Sequence, residues 1–189
     1  LFARRGGFDL IAGNPPWVKV EWNEGGLLSE KNPAFAIRDL SASAIAGLRK
    51  EELAKPGALA EYLGEYEEFE GTQNFLNALQ NFPLLEGLQT NLYKCFIARA
   101  WEISGPAGAT AFLHPEGVYD DPNGGPLRRA LYPRLRFHLQ FTNELRLFAE
   151  VDHHAKFSVN VYHSPQAEPH FLHLANLFAT STVDACFED

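Results

Sequence analysis

One short segment, Asn14-Pro15-Pro16-Trp17, leaves its backbone very few conformations. It follows directly on an apolar run, residues 8–13, whose composition predicts a buried strand. Proline has no N–H to donate to a sheet ladder, so the strand must end where the prolines begin. The second proline also holds the first in an extended conformation. A strand that ends in such a turn presents its polar and aromatic side chains in a fixed arrangement.

The groups in this turn are suited to holding an amine on a flat ring. The side-chain oxygen of Asn14 and the carbonyl of Pro15 are two neighbouring acceptors, and an exocyclic amine offers two N–H donors. If both donors are engaged from one side, the nitrogen lone pair is drawn out of conjugation and becomes a better nucleophile. Trp17 offers a face on which a base can stack. A plain turn between two elements is the alternative for these residues.

The segment Phe8–Trp17 resembles the catalytic motif of the amino-group DNA methyltransferases, (Asp/Asn/Ser)-Pro-Pro-(Tyr/Phe/Trp), in the Asn form that is most often the adenine-N6 version. Residues 91–108 are similar to the Asn-Leu-Tyr-x-x-Phe helix and the Pro-Gly-Gly turn of that family, although Ala107 replaces the first glycine. Residues 109–115 and 147–162 are similar to the strands that follow. The order of these segments resembles type IIG restriction–modification methylases and related phage-defence methylases.

This resemblance implies methylation of adenine N6 in double-stranded DNA, with S-adenosylmethionine as the methyl donor. The target adenine must leave the base stack before its amine can be reached. Asn14 and Pro15 would bind the amine, and Pro16 and Trp17 would complete the catalytic turn. Methylation of RNA or of a protein glutamine is one alternative. A non-catalytic interaction fragment, in which the motif is only a structural turn, is another.

The resemblance also assigns roles to aromatic residues outside the turn. Phe148 matches the aromatic residue that stacks on the far face of the flipped base, and Phe157 is the second candidate for this role. Phe96 would lie near the adenine ring of the cofactor. For Phe96 and Phe148 the alternative is a plain position in the core, since the chain contains 15 phenylalanines.

The pattern of elements predicts an α/β fold corresponding to the C-terminal half of a Rossmann-like methyltransferase sheet. In open sheets of this kind, ligands bind at the carboxyl ends of the strands, where Asn14 would lie. We expect a partial catalytic domain over residues 1–163, a helical insertion over 18–89, and an unassigned C-terminal extension over 164–189. The predicted strands are 8–13, 109–114, 135–145, 157–162 and, more weakly, 171–174.

Periodicity and breaker residues predict the helices. In the insertion, helices are expected over 41–53, over 59–70 with an end at Gly71, and over 73–81 with an end at Pro83. Further along the chain, helices are expected over 91–104 and 126–132.

Two features lead us to expect a piece of a longer protein. The chain contains no methionine, and it has no Phe-x-Gly-x-Gly cofactor loop of the kind this family uses. We therefore expect that an N-terminal half is missing and that the isolated chain does not bind S-adenosylmethionine tightly. Removal of that half would make residues 8–13 an apolar edge strand, which is a template for pairing with another copy.

Charge and composition place further bounds on function. The net charge of −8 is unusual for a complete DNA-binding protein. Acidic residues are concentrated in 50–70, whereas 126–146 is rich in arginine, which either contacts phosphates or forms a solvated face. No metal site is expected, because the histidines do not follow zinc-ligand spacing. The two cysteines and the lack of a long apolar stretch lead us to expect a cytoplasmic protein.

Overall fold

The computed structural model describes residues 6–37, 41–89 and 91–188. It is an α/β fold with one mixed, five-stranded sheet, compatible with a Rossmann-like architecture. The chain forms two compact units, one comprising Leu1–Lys19 and Asn77–Asp189 and the other Val20–Leu76. The strands, all in the first unit, are β1 (Phe8–Gly13), β2 (Ser104–Pro115), β3 (Leu135–Thr142), β4 (Lys156–Tyr162) and β5 (Leu172–Leu177).

The strand order in the sheet is β1-β2-β4-β3-β5. β1 pairs with β2 in parallel, β4 pairs antiparallel with both β2 and β3, and β5 is parallel to β3. Because β4 runs opposite to both of its neighbours, β1, β2, β3 and β5 point the same way. Their carboxyl ends therefore meet at one edge of the sheet, which is where ligands bind in folds of this type.

The helices of the sheet unit are α5 (Leu92–Ile103), α6 (Gly117–Asp120), α7 (Gly125–Leu131) and α8 (Ser181–Phe187). α5 connects β1 to β2 by the crossover that two parallel strands require. One core cluster joins α5 and α7 to the sheet through Ile97, Leu127, Leu131, Leu135 and Tyr162, each of which is fully buried. The sequence-based expectations for α5 and α7 are confirmed to within one residue at each end.

β2 starts directly after α5 at Ser104, so the strand is longer than the expected 109–114. Gly105 and Pro106 end the helix but do not separate it from the strand. The start of β2 approaches β1 closely, at a register shift between Phe8 and Leu10. This close approach explains the glycines at this point, Gly7 just before β1 and Gly108 in β2, since a Cβ at either position would clash with the neighbouring backbone.

Gly108→Ala should destabilise the sheet, because a Cβ at this position would lie 2.4 Å from the Phe8 carbonyl oxygen. The contacted atom belongs to the backbone, so the strand itself must shift. We expect the free energy of unfolding to fall by about 1–3 kcal/mol in urea denaturation. Gly47→Ala is the matched control, since a Cβ there meets nothing within 4 Å. Equal stability of the two variants would contradict the close approach.

The second unit contains α1 (Glu24–Lys31), α2 (Ala34–Ile37), α3 (Ala42–Leu53) and nearly all of α4 (Ala58–Asn77). Asn23 and Ser41 cap the first turns of α1 and α3 by accepting hydrogen bonds from backbone N–H groups. Glu24 accepts hydrogen bonds from Arg49 of α3 and Tyr62 of α4, which ties three helices together. Trp22 packs against three aromatic side chains of α4: Tyr62, Tyr66 and Phe69.

The expectation of two helices over 59–70 and 73–81 is wrong, because α4 runs without interruption through Gly71. A glycine costs a helix interior only about 1 kcal/mol, so it does not end a helix of this length. The helix ends at Asn77, and Pro83 begins a short 3-10 helix, Pro83–Leu85, instead of ending an α-helix. Residues 77–89, expected in the insertion, cluster with the sheet unit.

The C-terminal segment contributes to the sheet through β5, and α8 follows it. The sequence signal for β5 was weak and α8 was not expected. At the opposite side of the sheet, β1 pairs with β2 only, and no strand of the described residues pairs with its other edge. Phe8 and Leu10 of β1 are 46% and 63% exposed. Pairing of this edge with another chain stays a prediction.

Candidate active site

Three chain segments meet at the carboxyl-end edge of the sheet. The Asn14–Trp17 turn follows β1, Glu116 follows β2, and the loop from Asn143 to Ala155 connects β3 to β4. The turn is immobilised on both sides. The Trp17 indole N–H donates to the carbonyl of Leu113 in β2 at 3.3 Å.

The residues after the turn are fixed to the start of α5. The Leu92 N–H donates to the Val18 carbonyl at 3.0 Å, and Lys19 forms an antiparallel bridge with Asn91. Within the turn, Pro15 is buried whereas Asn14 is exposed. The backbone of the turn is therefore held by the protein, while the Asn14 amide faces solvent.

Phe148 lies beside the turn, although it is distant in sequence. Its ring centroid is 5.4 Å from that of Trp17, at an interplanar angle of 56°. The five residues that the sequence places at the base-binding site are thus brought together. They line a pocket of about 210 Å³ together with Val151: Asn14, Pro15, Pro16, Trp17 and Phe148.

Phe157 forms the base of this aromatic group and is only 3% exposed. It stacks on Phe141 at 5.6 Å and meets the Phe148 ring edge-on at 5.0 Å. Its faces are covered, so its candidacy as the base-stacking residue is wrong. Phe148 itself is only partly buried and packs against the small core cluster that contains Phe157.

Phe96, expected near the cofactor, lies on α5 and is 49% exposed. The alternative of a core position is wrong, since the buried face of α5 is formed by neighbours such as Cys95 and Ile97. Phe96 does not line the Asn14 pocket. The structure thus separates Phe96 from the residues assigned to the target base.

The same edge of the sheet carries a buried polar group that the sequence did not indicate. The Glu116 carboxylate accepts hydrogen bonds from His138 at 3.1 Å, from Gln140 at 2.7 Å and from the Ser158 hydroxyl. Burial alone would raise the pKa of Glu116, but the hydrogen bonds from His138, Ser158 and Gln140 outweigh it and lower the pKa to about 2. The group is therefore a carboxylate at neutral pH.

A second buried group lies next to it. Burial lowers the pKa of His114 to about 4, so its ring is neutral at pH 7. The ring contacts the Pro115 carbonyl and the Tyr162 hydroxyl, each at 2.8 Å. Because a carbonyl can only accept, Nδ1 donates to Pro115 and Nε2 accepts from Tyr162. Tyr119 extends the group by donating to Asn160 at 2.6 Å.

Two of these polar residues, Ser158 and Asn160, were not expected to be buried, because apolar and polar side chains alternate along β4. The alternation Phe157-Ser158-Val159-Asn160 is typical of a strand with one solvated face. Here Ser158 and Asn160 are both fully buried, since the sheet is covered on the face opposite Phe157 as well. The alternating side chains of β4 therefore belong to two buried faces of the sheet. The apolar face packs against the aromatic pocket, and the polar face contacts Glu116.

The arginine-rich segment 126–146 is mostly used inside the protein. Arg128 donates to the carbonyls of Val118 and Asp121, Arg134 lies over the Trp101 ring at 5.0 Å, and Arg136 donates to nearby carbonyls. Arg129 and Arg146 are exposed. Of the five arginines, these two remain candidates for phosphate contacts, and Arg146 lies two residues from Phe148.

Two classes of feature are absent from the described ranges 6–37, 41–89 and 91–188. No group of three or more His, Cys, Asp or Glu side chains in these ranges is arranged to hold a metal ion. No helix in the same ranges combines the length and the apolar character that a bilayer crossing demands.

In comparisons with known proteins, no family model matches this chain, and no curated protein matches it significantly.

Proposed function

We propose that this chain forms the adenine-binding side of an S-adenosylmethionine-dependent DNA adenine-N6 methyltransferase, within a larger restriction–modification or phage-defence protein. One observation carries the proposal. The Asn-Pro-Pro-Trp turn and Phe148, distant in sequence, line one pocket at the carboxyl-end edge of the sheet. A structural turn alone would not need an exposed amide and a second aromatic ring beside it.

The size of the pocket favours a single planar base. Its volume of about 210 Å³ lies below the roughly 300–1,000 Å³ of most small-molecule sites. Trp17 and Phe148 are in contact with each other, so a base binds on the ring surfaces that face the pocket. Binding between the two rings requires the Phe148 side chain to swing away from Trp17.

The polar groups of the turn suit an amine. The Asn14 oxygen and the Pro15 carbonyl accept the two N–H donors of adenine N6, and this fixes the direction of the nitrogen lone pair. S-adenosylmethionine supplies the methyl group. The role of these residues is to hold the nitrogen in line for attack, since positioning of the reactants removes a large part of the barrier.

The cofactor site of the proposed methyltransferase would lie apart from the Asn14 pocket, which Phe96 does not line. Phe96, the one residue assigned to the cofactor, is half exposed, and the glycine-rich turn that would bind the cofactor is absent from the sequence. The proposal therefore assigns S-adenosylmethionine to chain outside these residues. The edge of β1 with which no other described strand pairs is where such a segment would continue the sheet.

A second candidate function is supported by the outer side of β1, away from β2. Leu10 of β1 is exposed, and among the described strands β1 pairs with β2 only; both features are typical of a strand that pairs with another chain. On this proposal the chain is an interaction fragment, and the turn at Asn14 is structural. It predicts no preference for adenine in any DNA probe.

Phe148→Ala separates the two proposals. We expect weaker binding, by about 1–3 kcal/mol, to a duplex that presents one adenine opposite an abasic site, because one base–aromatic contact is lost. Fluorescence anisotropy with a labelled duplex measures this, and thymine in place of the adenine is the probe control.

Leu147→Ala is the matched variant. Leu147 is the neighbouring residue on this loop, but it is exposed and does not line the pocket. It should leave the preference for adenine unchanged. A large fall in the melting temperature of Phe148→Ala with unchanged DNA affinity would assign Phe148 to the core.

A further inference from the structure

We propose that Asn143 is the positioning residue of the adenine pocket and that it holds the backbone of the loop that carries Phe148. This inference rests on the proposed function. Asn143 does not itself line the pocket, and it acts through Phe148 and Val151, which do.

Asn143 is fully buried, and both polar atoms of its side chain form hydrogen bonds to this loop. Its Nδ2 carries two N–H groups and lies within hydrogen-bond distance of three carbonyl oxygens, those of Phe148 at 2.8 Å, Val151 at 2.9 Å and Asp152 at 3.3 Å, so one N–H is shared between two of them. Its Oδ1 accepts from the Phe148 N–H at 3.0 Å. Both backbone polar groups of Phe148 are thus bound to one side chain.

The backbone of Asn143 is itself fixed at the end of β3. Its N–H donates to the Ala155 carbonyl at 3.0 Å, and its carbonyl accepts from the Arg146 N–H at 2.8 Å. Arg146 has a φ of 51°, in the left-handed region that is uncommon for residues other than glycine. The loop therefore reverses direction sharply around the Asn143 side chain.

Packing of the loop tip does not provide this order. Leu145 and Leu147 are 61% and 46% exposed, so neither leucine holds the loop against the protein. Phe148 anchors the loop through its ring, which packs against Trp17 and Phe157, and the buried amide of Asn143 fixes the backbone on either side of that ring. An amide is also the side chain that the site needs, because it both donates to carbonyls and accepts from an N–H.

The consequence concerns the two residues that the loop contributes to the pocket. Phe148 and Val151 line the pocket, and the carbonyls of both accept from Asn143. The backbone on this side is set before any base arrives, so a base that binds between the two rings requires only the Phe148 side chain to rotate. A preorganised site of this kind avoids the cost of ordering a loop on binding.

Asn143→Asp tests the inference, since it keeps an oxygen acceptor and removes the Nδ2 donor. The matched control is Asn160→Asp, which changes another fully buried asparagine whose Nδ2 donates to Ser158. Thermal denaturation establishes that both variants fold and shows how much stability each loses.

Hydrogen exchange measured by mass spectrometry gives the first readout. We expect Asn143→Asp to speed exchange of the Phe148 amide and its neighbours in 144–154 by about 5- to 100-fold, as loss of buried hydrogen bonds implies. Asn160→Asp should leave this loop protected. Equal protection of the loop in the two variants would overturn the inference.

The second readout is affinity for the duplex with adenine opposite an abasic site, relative to the duplex with thymine there. Asn143→Asp should lower this preference about tenfold, whereas Asn160→Asp should keep it. A loosened loop with an unchanged preference would show that Asn143 is structural only. A wild-type chain with no preference for adenine would refute the proposed function, and with it the role of Asn143 in base capture.

Discussion

On the proposed function, Asn14→Ala should abolish adenine methylation by the full-length protein while sparing the fold. Asn14 is exposed, so its replacement removes an acceptor for the target amine and little packing. Removal of one preorganised polar group from an active site typically lowers kcat by about 10²–10³-fold. Incorporation of labelled methyl groups into DNA measures the loss, and thermal denaturation shows that the variant is folded.

Two further variants make the result specific. Asn14→Asp keeps an oxygen acceptor at the same place and should retain part of the activity. Asn123→Ala removes an exposed asparagine from the turn after α6 and should have no effect on methylation. Near-normal methylation by Asn14→Ala would mean that other groups hold the amine, and the proposed role of the turn would then be wrong.

The sequence predicts the part of the site whose conformation is determined by neighbouring residues in the chain. Two consecutive prolines after an apolar run end a strand whatever surrounds them, and β1 ends at Gly13 as expected. The position of Asn14 at the carboxyl-end edge then follows from the parallel pairing of β1 with β2. Nothing distant in sequence is needed for either step.

Residues whose role depends on distant partners were harder to assign. Phe148 was found only through the order of motifs, and Phe157, with the same chemistry, proved to be buried beneath it. Sequence cannot rank the two, because their exposure depends on the path of the loop between β3 and β4. That path is set by Asn143, which carries no local signal of its importance.

The helical unit shows the same limit. Periodicity predicted the start of α3 to within one residue, and Ser41 caps the helix there, whereas Gly71 was wrongly predicted to end a helix inside the continuous α4. The preference of one glycine is too weak to end a helix that the rest of the segment favours.

Glu116 gives the largest expected effect on stability. Its carboxylate is the shared acceptor for His138, Gln140 and Ser158, and it is 7% exposed. Glu116→Gln places an amide N–H group among these donors and leaves at least one of them unpaired. Because the variant loses the carboxylate charge that these donors stabilise and leaves a buried donor unpaired, we expect the free energy of unfolding at pH 7 to fall by about 3 kcal/mol.

The pH dependence of this loss tests the cause. The pKa of Glu116 is lowered to about 2 from an ordinary value of 4.5, so the carboxylate stabilises the fold above about pH 4.5. That contribution, about 3 kcal/mol, is lost as the pH falls from 4.5 toward 2, because the unfolded chain takes up the proton first. In urea denaturation at a series of pH values, the difference in the free energy of unfolding between wild type and Glu116→Gln should therefore become smaller through this range.

Glu144→Gln, which changes an exposed carboxylate near the end of β3, is the control, and its free energy of unfolding should vary with pH as that of the wild type does. A difference between Glu116→Gln and wild type that stays constant from pH 7 to pH 2 would mean that the charge of Glu116 does not stabilise the fold, and that the variant is destabilised by packing alone.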